Sequence, residues 1–176
     1  LNNHYEKIRI QKYDSNYRRF FSSEKRKIQK IIGSKALIEH VGSTAIPKLR
    51  GKGIVDILLV VQKNTIANTS KKLQKADYEF RDVASTKSRC FFRKDYKTSN
   101  GIRRVHIHLT FIGSKDQKEM IGFRDYIISH PKMAKKYEKI KKDAVKFAKG
   151  EGELYRKQKE KFILGIIKKA LENNQE

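Results

Sequence analysis

The chain has 176 residues, 38% apolar and 35% charged, with 42 Lys and Arg against 19 Asp and Glu for a formal net charge of +23. That length suits one domain, and apolar runs such as Ile54–Val61 exclude a disordered polyelectrolyte. A lone cysteine, Cys90, excludes an internal disulfide and any Cys-x-x-Cys zinc or redox motif, and no stretch nears the ~20 apolar residues of a membrane span.

In chain order, residues 5–33 place Tyr17, Phe20, Phe21, Ile28, Ile31 and Ile32 at helical spacing, with Gly33-Ser34 as the stop. The start of the chain shows no apolar signal core, so a cytoplasmic location is expected. Residues 36–41 predict a short strand closed by Gly42-Ser43, followed by the turn-rich segment 44–53. Ile54–Val61 is almost continuously apolar and β-branched, the pattern of a strand covered on both faces, and Asp56 is its only charge. A helix is expected over 64–76, strands over 78–83 and 89–93, and a polar loop over 94–101. In Val105–Phe111 the period-two alternation sends Val105, Ile107, Leu109 and Phe111 to one face and His106, His108 and Thr110 to the other. From Asp116 onward the spacing is helical, over 119–129, 132–149 and 153–171, with breaks at His130-Pro131 and at Gly150 and Gly152. The expected architecture is α/β (α+β): a small mixed β-sheet flanked by helices in residues 1–115, with residues 116–176 a helical extension packed on it, together one domain.

The chemistry gathers around Gly42-Ser43 and Asp56. In polymerase-β-type nucleotidyltransferases a glycine-serine turn holds the triphosphate, and two carboxylates two residues apart on the next strand hold Mg²⁺ ions. The layout here is similar, but the positions flanking Asp56 by two are Ile54 and Leu58. His106 and His108 stand where a further acid could, and with Asp56 they form a candidate site for Mg, Mn or Zn, imidazole favouring the last two. The alternative is that the histidines are hydrogen-bonded surface residues and Asp56 pairs with Lys52 or Arg93. Gly42, Ser43, Thr44, Lys52 and Arg93 are the candidate ligands of a nucleotide triphosphate, and Asp56 and Lys52 the candidate catalytic pair. The basic charge draws polyanions without choosing among them, and lysine-rich solvated helices explain it equally well.

The run from Ile38 to Ile57, containing Glu39-His-Val-Gly-Ser-Thr-Ala-Ile-Pro47 and Lys52-Gly-Ile-Val-Asp56, resembles the signature of the GrpB family. Tyr13-Asp14 with Tyr17, His106-Ile-His-Leu109, Gly122–Tyr126 with His130-Pro131, Tyr137 and Lys141, and Tyr155 and Lys159 are similar to its other blocks. Two departures stand out: Lys48 replaces a usual glycine and Gly53 a usual proline. The resemblance implies a nucleotidyltransferase-like fold, a pocket of Ser43, Lys52, Asp56, His106 and His108 with Glu39 and His40 beside it, and Arg93, Arg124, Asp125 and Tyr155 as further candidates. For Arg124 and Asp125 an ion pair in helix packing is the stronger expectation. In some bacteria the family module is fused to dephospho-CoA kinase, so a link to coenzyme A metabolism is implied, although no Walker A loop is present in this sequence. Three functions follow as expectations: metal-assisted nucleotidyl or phosphoryl transfer to a small molecule, non-catalytic binding of a nucleotide, coenzyme A-like ligand or RNA, and a basic RNA- or ribosome-associated protein with a vestigial pocket. No membrane partner is expected.

Overall fold

The computed structural model describes residues 9–99 and 101–172. Five strands, β1 (Leu37–Val41), β2 (Val55–Val61), β3 (Glu79–Phe80), β4 (Cys90–Thr98) and β5 (Gly101–Phe111), form one sheet in the order β1-β2-β5-β4-β3. The central strands β2 and β5 are parallel and the other neighbours antiparallel, so the sheet is mixed.

Alternation along β2 and β5 divides the sheet into two faces. Val55, Ile57, Leu59 and Val61 join Val105, Ile107 and Leu109 under α1 (Tyr17–Ile32) and α2 (Ile66–Lys75), meeting Tyr17, Ile28 and Leu73. Ile57, Leu59, Ile107 and Leu109 are completely buried, each worth about 1.5–3 kcal/mol of apolar transfer. On the opposite face Leu58 and Val60 pack with Val41 against Met120 and Ile121 of α3 (Lys115–Ser129). Helices α4 (Pro131–Ala148) and α5 (Gly152–Glu172) complete that side, joined to α3 and to Ile46 and Leu49 through Ile127, Tyr137 and Ile166. The helix boundaries have local causes. Ser114 caps α3 by accepting from the Gln117 N–H, and Pro131 opens α4 after His130, which stays out of the helical region at φ −123°.

A buried carboxylate on the α1 side is satisfied internally: Glu24 accepts from the hydroxyls of Tyr78 and Tyr96, both at 2.6 Å, and from Lys27 at 3.1 Å. Three sequence expectations need correction. The expected loop over 94–101 is the outer end of the β4–β5 hairpin, paired from Lys94↔Val105 to Thr98↔Gly101. Its polarity reflects a ribbon stitched by ion pairs, since Asp95 binds both Arg93 and Arg104. The strand expected over 78–83 is reduced to Glu79–Phe80, because a 3₁₀ turn at Asp82–Ala84 follows it. Helix α1 starts at Tyr17, and the segment before it instead pairs Gln11 with Gly51 through both backbone groups, at 2.9 and 3.3 Å; Tyr5, the expected start, lies outside the described residues. No helix among the described residues is long and apolar enough to cross a membrane.

Candidate anion-binding site

Asp56 lies at the start of β2 on the α3–α5 face, where β5 sets His106 beside it in register and His108 two residues on. One carboxylate oxygen, Oδ1, meets both imidazoles: His106 Nδ1 at 3.2 Å and His108 Nε2 at 3.4 Å. From β4, the neighbouring positions Phe91 and Arg93 add an aromatic edge against both imidazoles and a guanidinium. These residues form one wall of a cavity of about 810 Å³, a size suited to a nucleotide.

The other walls come from the 42–53 segment, the 81–89 turn and the inner faces of α4 and α5. Gly42 has φ 71°, and a Cβ there would overlap Asp56 Oδ2, so only glycine lets the turn pass this close to the carboxylate. Gly51 is equally confined: an added Cβ would lie 2.5 Å from Ser43 Oγ and 3.9 Å from Lys141 Nζ. On α4 Lys141 follows Tyr137 by four residues and on α5 Lys159 follows Tyr155 by four. That spacing stacks each ammonium over its own ring, 4.7 Å and 4.1 Å from the centroids, and both rings and both lysines line the cavity. Lys52 adds a third ammonium, 5.3 Å from the Tyr155 ring.

Electrostatically the cavity is strongly unequal. Lys52, Arg81, Arg89, Arg93, Lys141, Arg156 and Lys159 line it, and Asp56 is the one carboxylate. The arginines of the β3–β4 side are compensated by acids outside the cavity: Arg93 by Asp95, Arg89 by Asp116 and Arg81 by Glu79. Lys141 and Lys159 are not, for among the described residues neither forms an ion pair, and Lys141 donates to the Arg50 carbonyl. Burial, reinforced by Lys159, pushes Lys141 down to about 7, and burial, with Lys52 next, pushes Lys159 down to about 8. Burial alone would raise the Asp56 carboxyl, yet the hydrogen bonds from His106 and His108 outweigh it and hold the group well below the usual carboxylate range. Burial also lowers His108, against the opposing pull of Asp56. Two buried polar atoms in this wall, His108 Nδ1 and Arg89 Nε, have no hydrogen-bond partner.

The expected metal set thus comes together, but as a hydrogen-bonded trio. Among the described residues no group of three His, Cys, Asp or Glu has an arrangement that could hold a metal ion. Nor is a carboxylate pair present: Ile54, two residues before Asp56, lines the cavity, and Leu58 stands two residues after it. Leu58 is completely buried under α3, so a second carboxylate at that position would be sealed from the cavity. Of the expected phosphate ligands, Gly42, Ser43, Lys52 and Arg93 line the cavity. Thr44 does not: its hydroxyl is buried, donating to the Ile54 carbonyl at 2.9 Å and meeting His40 Nε2 at 2.9 Å. His40 faces the opposite side, stacked on Phe21, and burial pushes its imidazole down to about 4. Glu39 and Asp125 both bind Arg124, at 2.7 Å each, in the ion-pair arrangement expected of helix packing. Tyr155 lines the cavity. Asp56 meets the two histidines, and Arg93 pairs with Asp95. Sequence reasoning passed over Lys141, Lys159, Arg156 and Arg89 as site residues. The available signal was the twice-used Tyr-x-x-x-Lys spacing.

Known proteins share this architecture. A solved structure of the conserved protein GrpB from Enterococcus faecalis superposes with a TM-score of 0.81, at 24% identity, over 96% of this chain and 100% of that one. Cid1, in a structure with its short product ApU, shares the fold at a TM-score of 0.50 and 12% identity, over 75% of this chain and 40% of its own. By sequence, the UPF0157 protein BH1888 of Halalkalibacterium halodurans is 28% identical over 97% of this chain and 86% of its own length. The family model described as GrpB protein matches residues 7–169, and the chain belongs to that family.

Proposed function

We propose that this protein binds a nucleotide or another phosphorylated small molecule in the cavity between the sheet and α4–α5, as a module that keeps the transferase fold without its paired carboxylates. The carrying observation is the excess of cations over a single carboxylate in a cavity of nucleotide size. Phe91, Tyr137 and Tyr155 supply aromatic surface alongside it. Asp56 then acts as an acceptor set at one point of a positive cavity, rejecting anionic groups there and accepting a hydroxyl or amino group of the ligand instead.

The test is thermal unfolding of the purified protein against nucleoside mono-, di- and triphosphates, coenzyme A and short RNA, each with divalent metals and with chelator. Stabilisation by a small phosphorylated ligand that survives chelation is the expected result. A rise that requires Mg²⁺, Mn²⁺ or Zn²⁺ and disappears in a His106→Ala/His108→Ala variant would replace this reading with metal-assisted transfer. Binding of RNA alone, weakening steeply with salt, would move the function to the basic surface.

A further inference from the structure

Lys141 and Lys159 are buried or half-buried cavity cations that form no ion pair among the described residues, Glu138 and Asp56 acting on them only from farther away. Lys141 is 1% exposed, sits behind Gly51 and is held by the Arg50 carbonyl, with no acid in ion-pair contact. Burying an ammonium this way is costly unless a negative charge compensates it. Lys159, less deeply placed, projects from the adjoining helix into the same end of the cavity, and each lysine lies over its own tyrosine ring. Across from them stands Ser43, whose hydroxyl is so close to Gly51 that no Cβ fits between. In the fold's paired-metal sites the phosphate charge is met by ions held on carboxylates. Here the positions two before and two after Asp56 are Ile54 and the sealed Leu58, neither a carboxylate, and Asp56 itself is engaged by two imidazoles.

Building on the phosphorylated ligand proposed above, we infer that Ser43 and Lys159 bind its terminal phosphate directly, with Lys141 as the buried charge behind Gly51, so that lysines do the work of metal ions. The two Tyr-x-x-x-Lys turns are then a matched device. The rings hold the ammonium groups in place through the face of each ring, and they screen the subsite from water, which strengthens its attraction for a dianion. Anion binding reprotonates whichever lysine is neutral, so the subsite takes up protons as it fills above about pH 7, where Lys141 and then Lys159 lose theirs.

Titration calorimetry with inorganic pyrophosphate and with a nucleoside diphosphate, in chelator and in Mg²⁺, tests this on three proteins: the native chain, Lys141→Met/Lys159→Met, and a Lys72→Met/Lys75→Met control that removes the same charge from the exposed face of α2. The expected result is binding in chelator that Mg²⁺ does not improve, unchanged in the control and weakened about a hundredfold or more in the cavity variant. Gly51→Ala, which displaces the Ser43 hydroxyl without altering charge, should weaken it too. In buffers of different ionisation enthalpy the native protein should show net proton uptake at pH 8, and sulfate, which does not titrate in this range, should bind less tightly as pH rises from about 7 to 9. Equal nucleotide affinity in the native and cavity-variant proteins would overturn the subsite while leaving the cavity reading intact, as would binding that is lost in chelator. Failure of every phosphorylated ligand to bind the native protein would instead overturn the cavity reading on which the subsite rests.

Discussion

The two faces of the sheet are made from alternate residues of the same strands and have opposite fates. Toward α1 and α2 the alternate positions Val55, Ile57, Leu59 and Val61 of β2 and Val105, Ile107 and Leu109 of β5 are all apolar and buried. Toward α3–α5 the face changes along its length: Leu58 and Val60 are closed off under α3, whereas Asp56, His106 and His108 line the cavity. A strand can therefore carry a core and a site at once, provided one face remains unbroken. The polar face is affordable because the apolar one is complete.

The largest effect that would break this comparison comes from the closed face. Ile57→Ala should cost about 2–5 kcal/mol in denaturant unfolding, whereas Asp56→Asn, one residue away on the open face, should cost about 1–3 kcal/mol through its weakened bonds to the histidines. Equal losses would mean that the two faces are not energetically distinct. The acid limb sharpens the same contrast. Asp56 is held below its ordinary value when folded, so its contribution is complete above about pH 4 and is lost as pH falls further; Asp56→Asn should flatten that part of the stability profile.

Lys141 gives a smaller effect of opposite sign. Its folded value near 7 lies below the ordinary 10.5, so the unfolded chain holds more protons between these values and stability should rise with pH across that window. Lys141→Met should reduce that slope, leaving the part that Lys159 contributes above about pH 8, and should be at least as stable as the native protein at pH 7, measured by chemical unfolding at fixed ionic strength. The smallest expected change is at Lys48, which adopts the left-handed region at φ 64°, a conformation that favours glycine. Lys48→Gly should stabilise by up to about 1 kcal/mol, relieving that strain against the added freedom of the unfolded chain.

What could be read in the sequence follows from the same two faces. The sealed strand announced itself as a continuous apolar run at Ile54–Val61, and the site strand as the alternation that put His106 and His108 together. The helices after Asp116 were legible because their stripes face a core. By contrast the hairpin end from Lys94 to Gly101 sends only Tyr96 to the α1 core, so its outer pairing rests on Asp95 with two arginines and leaves no hydrophobic period to detect. Thr44 and His40 were close in sequence to the site but alternation and burial turned them to the other side, bonded to each other. Lys141 and Lys159 belong to helices distant in sequence from Asp56, and a lysine on a lysine-rich helix carries no mark of being buried. Only the i, i+4 tyrosine before each one distinguishes it.

The most direct test of a phosphorylated ligand in this cavity is a crystal structure of the chain with a non-hydrolysable nucleoside triphosphate in metal-free buffer. The account predicts density between the sheet and α4–α5, with a phosphate in contact with Lys159 and Ser43 and Asp56 still bonded to His106 and His108. Phosphate density confined to exposed lysines outside the cavity, or phosphates held through a metal on Asp56 and the histidines, would contradict it.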